Sequence, residues 1–410
     1  MTTHDNDHIL GDGADVRPAP AAAQPVEVHL SRRSSSSPTD DLPPVELVDS
    51  RWHRAQDRAR LAAFFARLAV KEHVAPRLHV RPLVAELFVT ENCNLKCVSC
   101  NCWRESTRDE LSTEEWFDVI DQLGAAGILK ANFTGGEPLL RADTPLLMRR
   151  AVAAGITDLH LNTNSILLDD RRREAVLAAG VRSFNISVDG ATAELHDRLR
   201  GKDGAFDTTV ARLRELVGLR DRHGLRIRLN FTVMRDNVAQ VPDIARLATE
   251  LQVQLYLNLA TSTTFLFRAP GVDGLADVDD ADLRVAMAAM ERLARQDRRW
   301  LPRYSDLRYV QRHFTELIQR ELPCAESQLK LMIHSRGEIG GCWGEDPHDN
   351  VRDVAVADVL ASSRYRDDHE RFFRKDCVGC GSNYSLNLRW RPSTYWHDLG
   401  WRTGRRRLGG

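Results

Sequence analysis

At 410 residues, with 57 Lys and Arg against 58 Asp and Glu, the chain has room for one large domain and one small one, and no charge excess that would draw nucleic acid. No run of about eighteen apolar residues exists, so no transmembrane helix and no membrane partner are expected. The start, Met1-Thr2-Thr3-His4-Asp5, has neither a basic stretch nor an apolar core, so it does not read as a secretory signal, and a cytoplasmic location is expected.

Residues 1–45 are rich in Ala, Pro, Asp and Ser and include Ser34-Ser35-Ser36-Ser37-Pro38, a composition expected to stay disordered. Residues 46–82 are a lead-in, with an amphipathic helix over 50–72 that carries Trp52, Leu61, Phe64, Phe65 and Leu68 at helical spacing and is expected to pack on the main domain. From residue 84 strand and helix alternate. Strands are predicted at 84–90, 130–134, 157–163, 182–188, 226–233 and 252–259, and helices at 112–126, 143–154, 169–180, 206–222 and 240–250. Such βα units predict an α/β fold, a parallel sheet curled into a partial (β/α)6 barrel over 83–300, with functional groups at the carboxyl ends of its strands.

Those strand ends are where the informative residues fall. Cys93, Cys97 and Cys100 follow the first strand in the spacing C-x3-C-x2-C, and Thr134-Gly135-Gly136-Glu137-Pro138 closes the second. Three thiolates on one loop can hold three irons of a [4Fe–4S] cluster and leave the fourth open; alone, the same spacing would also suit a zinc loop. Asn162 and Asn164 end the third strand, Ser187 and Asp189 the fourth, Asn230 and Thr232 punctuate the fifth, and Asn258 ends the sixth. Asn, Asp and Gly also favour turns for local reasons, so each could be a turn residue alone.

The cysteine triad and the Gly-Gly-Glu-Pro segment together resemble the radical S-adenosylmethionine (radical SAM) enzymes. The resemblance implies that the open iron is chelated by SAM, that Gly135, Gly136, Glu137 and Pro138 let backbone approach its methionine amine, and that Asn162, Asn164, Ser187 and Asp189 face its ribose and methionine parts. It further implies that Arg200 holds the SAM carboxylate, against the plainer reading of a surface arginine. The chain departs from the family at Ser99, where an aromatic residue is usual; Trp103 stands just beyond.

Eight cysteines without an export signal argue for metal ligation over disulfides. Four of them, Cys324, Cys342, Cys377 and Cys380, form a second set within 301–392, with a hairpin around 329–338 leading to Cys342 and a helix near 363–374 leading to the C-x2-C pair. Four thiolates make a closed site for zinc or for a [4Fe–4S] cluster. Resemblance to the twitch domain, the shortened SPASM domain of the superfamily, implies an auxiliary [4Fe–4S] cluster. Cys102 is left over, either a packed thiol or, in an epimerase, a hydrogen-atom donor, and a basic tail follows at 393–410.

The resemblance implies reductive SAM cleavage, with a flavodoxin or ferredoxin as electron donor, and hydrogen abstraction from an unactivated carbon. The reading favoured from the sequence is oxidation of an alcohol on an aminocyclitol or aminoglycoside intermediate to a ketone, in antibiotic biosynthesis, with the auxiliary cluster accepting an electron. The alternatives are epimerisation of a sugar carbon, and maturation of a ribosomal peptide. Residues 1–80 lack the strand pattern of the winged-helix domain that many peptide-modifying relatives carry, which counts against the last. A non-catalytic metal scaffold is the reading from outside enzymology.

Overall fold

The computed structural model describes residues 51–105, 107–260, 274–316, 323–340, 342, 347–374 and 376. The expectations for residues 1–45 and the basic tail, and the positions of Cys377 and Cys380, lie outside the described residues.

Six parallel strands, β1 (Val84–Thr90), β2 (Lys130–Gly135), β3 (Asp158–Thr163), β4 (Ser183–Ser187), β5 (Arg226–Val233) and β6 (Gln254–Leu259), follow one another across the sheet. The helices between them are α2 (Thr113–Ala125), α3 (Thr144–Ala153), α4 (Asp170–Ala178), α5 (Ala193–Arg200), α6 (Ala205–His223) and α7 (Val241–Glu250), and α1 (Arg51–His73) precedes the first strand. This is the α/β partial barrel expected from the alternation.

Each strand sorts its residues by face. Along β5, Ile227, Leu229, Phe231 and Val233 join the large core with the helices, whereas Arg228, Asn230 and Thr232 take the other face. β1 is buried along its whole length because strands flank both its edges. The helix starts follow their caps: Ser112 accepts from the Glu115 N–H while the Glu115 side chain accepts from the Ser112 N–H, which closes a capping box on α2.

Two features go beyond the predicted pattern. First, α5 stands between β4 and α6, capped by Thr192 and ended by Gly201 at φ +65. Its eight residues are polar on average, and its buried face is only Leu195, His196 and Leu199, too short a stripe to announce a helix in the sequence. Second, the hairpin after the barrel does not form a sheet of its own. β7 (Lys330–Ile333) pairs in parallel with β1, and β8 (Glu338–Gly340) and β9 (Asp349–Asn350) continue antiparallel, so one nine-stranded sheet runs β6-β5-β4-β3-β2-β1-β7-β8-β9. Buried Lys330 fastens that junction, its ammonium pairing with Glu86 of β1 and, at 2.7 Å, with Glu326. Burial opposes the charge on Lys330, and Glu326 and Glu86 more than offset it.

The rest of the chain covers this sheet. α8 (Asp280–Gln296) and α9 (Tyr304–Glu316) join the main core, and α10 (Glu326–Leu329), α11 (Val356–Ala361) and α12 (Ser363–Phe373) surround the hairpin. Phe64 and Leu68 of α1 pack with Val80, Val84, Ala325, Leu329 and Phe373 in a second, smaller core, as its amphipathic pattern leads one to expect. Among the described residues no helix is long and apolar enough to cross a membrane.

Candidate active site

The cysteine loop leaves β1 and is fastened from several sides. Glu110 accepts from the Thr90 hydroxyl at 3.0 Å and from the Glu91 N–H at 2.7 Å. The Gly136 N–H donates to the Thr90 carbonyl at 2.8 Å, and the Glu137 N–H to the Asn92 carbonyl at 2.7 Å. These bonds explain the glycines. Gly135 sits at φ +131, and a Cβ on it would meet the Thr90 carbonyl oxygen at 2.2 Å; one on Gly136 would meet the Asn92 oxygen at 2.2 Å. The glycine requirement read from the sequence as room for a ligand is therefore also a requirement of chain-to-chain contact.

Glu137 is wholly buried. It accepts from the Thr163 hydroxyl at 2.8 Å, the Asn164 N–H at 2.9 Å and the Leu139 N–H at 3.1 Å. It braces the ends of β2 and β3. Burial pushes its carboxyl up to about 7 despite those donors. Pro138, buried beside it, opens a short 3-10 turn. Asn164 turns its amide to Asn94 of the cysteine loop at 2.7 Å. Asn162 accepts from Asn185 at 2.5 Å, across β3 and β4. Ser187, half-buried, ends β4. Asp189 accepts from the Thr232 N–H at 2.9 Å and pairs with Arg200 at 2.8 Å.

The three cysteines differ in surroundings. Burial pushes the Cys93 thiol up to about 12 and raises that of Cys97 too, opposed there by the Arg200 charge. Cys100 is held down to about 7, chiefly by a hydrogen bond with Cys102, whose own thiol is pushed far up. Cys102 is 4 % exposed and opens a 3-10 turn, Cys102–Arg104, against Cys100 and Glu91. Burial raises the Glu91 carboxyl to about 7. Trp103 donates its indole N–H to the Cys97 carbonyl at 3.3 Å, and Ser99 is buried.

The donor set fits an iron–sulfur cluster. Two of the three thiols sit where burial disfavours bare thiolates, so a cationic partner suits them. Among the described residues no three His, Cys, Asp or Glu side chains gather closely enough to share one ion. Thiolates of a cubane each bind a different iron, so a cluster loop need not gather them so closely.

The structure thus brings Cys93, Cys97, Cys100, Cys102, the Gly-Gly-Glu-Pro segment, Asn164, Asp189 and Arg200 to one set of strand ends. Sequence reading passed over Asn94 and Glu110. Asn94 adjoins a chosen cysteine and was within reach; Glu110 acts through contacts that only the fold creates. Thr232 stood among the strand-end residues, but its N–H bond to Asp189 shows only in the structure. Of the second cysteine set, Cys324 and Cys342 are described. The Cys324 N–H donates to the Phe373 carbonyl at 2.9 Å at the end of α12. Cys342 lines an open pocket with Met332, Ile339, Tyr365 and His369.

Comparison with known proteins places this geometry. Residues 87–248 match the Radical SAM superfamily. The AdoMet-dependent heme synthase of Oleidesulfovibrio alaskensis is 36% identical over 165 residues, 40% of this chain and 41% of the relative. The PqqA peptide cyclase of Rhodopseudomonas palustris is 35% identical over 224 residues, 52% of this chain and 57% of the relative. The chain thus spans about half the length of the curated relatives it matches. In fold it is similar to Streptococcus suis SuiB bound to the precursor peptide SuiA, with a TM-score of 0.58 and 18% identity over 82% of this chain and 75% of that one. The stretch that matches the Radical SAM superfamily takes in Cys93, Cys97, Cys100, the Gly-Gly-Glu-Pro segment, Asp189 and Arg200.

Proposed function

We propose that the chain is a radical SAM enzyme that modifies a peptide. The observation that supports the substrate class is that PqqA peptide cyclases from several organisms recur among the relatives, the one from Rhodopseudomonas palustris over 224 residues. The peptide alternative thereby gains over the aminocyclitol oxidation favoured from the sequence.

In this reading Cys93, Cys97 and Cys100 would hold a [4Fe–4S] cluster, and the residues at the strand ends would hold SAM. When bound, cluster and SAM supply the one-electron chemistry that removes a hydrogen atom from an unactivated C–H bond. The chain supplies position. Glu110 and the backbone of Gly136 and Glu137 hold the loop at its start, and Asn164 holds it through Asn94. Glu137 keeps the second and third strand ends together. Cys324, Cys342, Cys377 and Cys380 hold an auxiliary cluster, and a flavodoxin or ferredoxin delivers the electron.

The test is anaerobic reconstitution with SAM and a chemical reductant. Release of 5′-deoxyadenosine is measured alone, with a panel of synthetic peptides, and with a panel of aminocyclitols. Stimulated release and a mass change in a peptide are expected. A mass change confined to an aminocyclitol would return the first reading, and no release under any condition would refute the enzyme.

A further inference from the structure

The end of α5 meets the cysteine loop at three consecutive residues. The Val98 N–H donates to the Leu199 carbonyl at 2.9 Å. A Cβ on Gly201 would stand 2.4 Å from the Lys96 carbonyl oxygen, so this helix end lies backbone to backbone against the loop. Between them Arg200 turns inward. Its Nη2 is 2.8 Å from Asp189 Oδ2 and its Nη1 is 3.8 Å from Cys97 Sγ. The side chains of Arg200 and Asp189 are 12% and 4% exposed.

Two of the three guanidinium nitrogens are therefore committed within the chain, one to a carboxylate and one to a cysteine of the triad. The third, Nε, is buried without a hydrogen-bond partner among the described residues. That is a different arrangement from a fork open toward a cofactor carboxylate. We propose that the Arg200–Asp189 pair sets the reduction potential of the cluster held by Cys93, Cys97 and Cys100, with Arg200 raising it through Cys97 and Asp189 limiting the rise. The inference rests on the function proposed above, because it presumes that cluster.

Reducing the cluster adds negative charge to a group already ringed by thiolates. A cationic donor aimed at one sulfur stabilises the reduced state, and hydrogen bonds to sulfur and net local charge are two of the levers on such potentials. Burial strengthens both charges, since little water intervenes. A guanidinium suits the task because it stays charged and presents separate N–H groups to carboxylate and sulfur. The place also calls for a cation, because α5 points its negative end at the same loop. Arg200 acts through Cys97, so it is a positioning residue, and a potential reports its role where activity alone would not.

The experiment measures the midpoint potential of the triad cluster by EPR-monitored titration of the reconstituted full chain, the cluster being identified by its spectral change on adding SAM. Arg200→Met should move the potential to more negative values, and Arg200→Lys should fall between that variant and the parent. Asp189→Asn, which leaves the arginine charge uncompensated, should move it to more positive values. Opposite shifts support the proposal; shifts in one direction, or none, overturn it. If Arg200→Met retains no cluster, Asp189→Asn decides alone, a positive shift supporting the proposal and any other result overturning it. A parent protein whose iron content is unchanged by removing all three triad cysteines would instead sink the function proposed above, and this inference with it.

Discussion

The two cysteine sets are assembled on opposite plans. The first places three thiols within residues 93–100, on one loop between a strand and a short turn. The second scatters its members: Cys324 precedes α10, Cys342 follows β8, and Cys377 and Cys380 come after α12. A loop set costs little chain entropy to assemble and depends on its neighbours mainly for orientation, which Glu110, Gly136 and Asn164 supply here. A scattered set exists only when distant elements have already met. The first plan suits a site that must open one position to chemistry, and the second a closed site that also ties elements together.

The sharpest way to break this contrast is to delete each set. Replacing Cys93, Cys97 and Cys100 with alanine should abolish 5′-deoxyadenosine release and lower the bound iron from about eight to about four per chain. Iron analysis and chromatography read the two effects. Release that survives the triple change would mean that the first loop is not the radical-generating site.

Replacing Cys377 and Cys380 should act later and less completely. On the proposed reading, in which a second cluster takes an electron after hydrogen abstraction, SAM cleavage should persist in part while net modification of substrate stops. Metal analysis of the anaerobically purified parent is the companion measurement: zinc in place of the second iron complement would remove electron transfer from the contrast. The melting temperature should fall as well, since a closed cluster holds its surroundings together.

The same contrast explains what was legible in the sequence. The six strands of the barrel announce themselves by periodicity, and the cysteine triad by spacing, because both signals lie within a few consecutive residues. β6 begins at Gln254 rather than 252 because Gln252 takes a left-handed turn at φ +55. The pairing of β7 with β1 could not be read, since nothing in Lys330–Ile333 names its partner; the buried charge at Lys330 is the trace that it leaves. Arg200 was found by resemblance, but its ties to Asp189 and Cys97 depend on how α5 docks, and the apolar face of α5 spans only Leu195 to Leu199.

A third test bears on the rigidity of the first region. The Glu137 carboxyl is raised in the folded chain from 4.5 to about 7, so the folded state binds that proton more tightly than the unfolded state does. Its contribution to stability is therefore fully present below the ordinary value of 4.5 and is lost as pH rises through about 7. Glu137→Gln carries no charge at any pH and should flatten stability across that window. Urea melts of parent and variant at about pH 5 and about pH 8 measure this, and taking the difference between the proteins cancels cluster loss common to both. A variant whose pH dependence matches that of the parent would show that Glu137 is not the group responsible.

The smallest effect is expected where the two regions touch at the surface. Arg352, in the turn after β9, grips Glu115 of α2 with Nε–Oε1 at 2.6 Å and Nη2–Oε2 at 3.1 Å. Arg352 chiefly, and then the Ser112 N–H, hold the Glu115 carboxyl down to about 2. That depressed value means stability present above the ordinary 4.5 and lost as pH falls toward about 2. Both side chains are more than one-third exposed, at 35% and 39%, so water and salt screen the pair. Arg352→Ala should cost only about 0.5 kcal/mol, less at high salt. Glu115→Ala should cost more, because it also removes the capping box on α2. The β1–β7 ladder and the buried Lys330 contacts would remain in either variant and should still hold the hairpin to the barrel. A loss above about 2 kcal/mol in Arg352→Ala, well beyond the range of exposed pairs, would shift that task from the sheet to the surface.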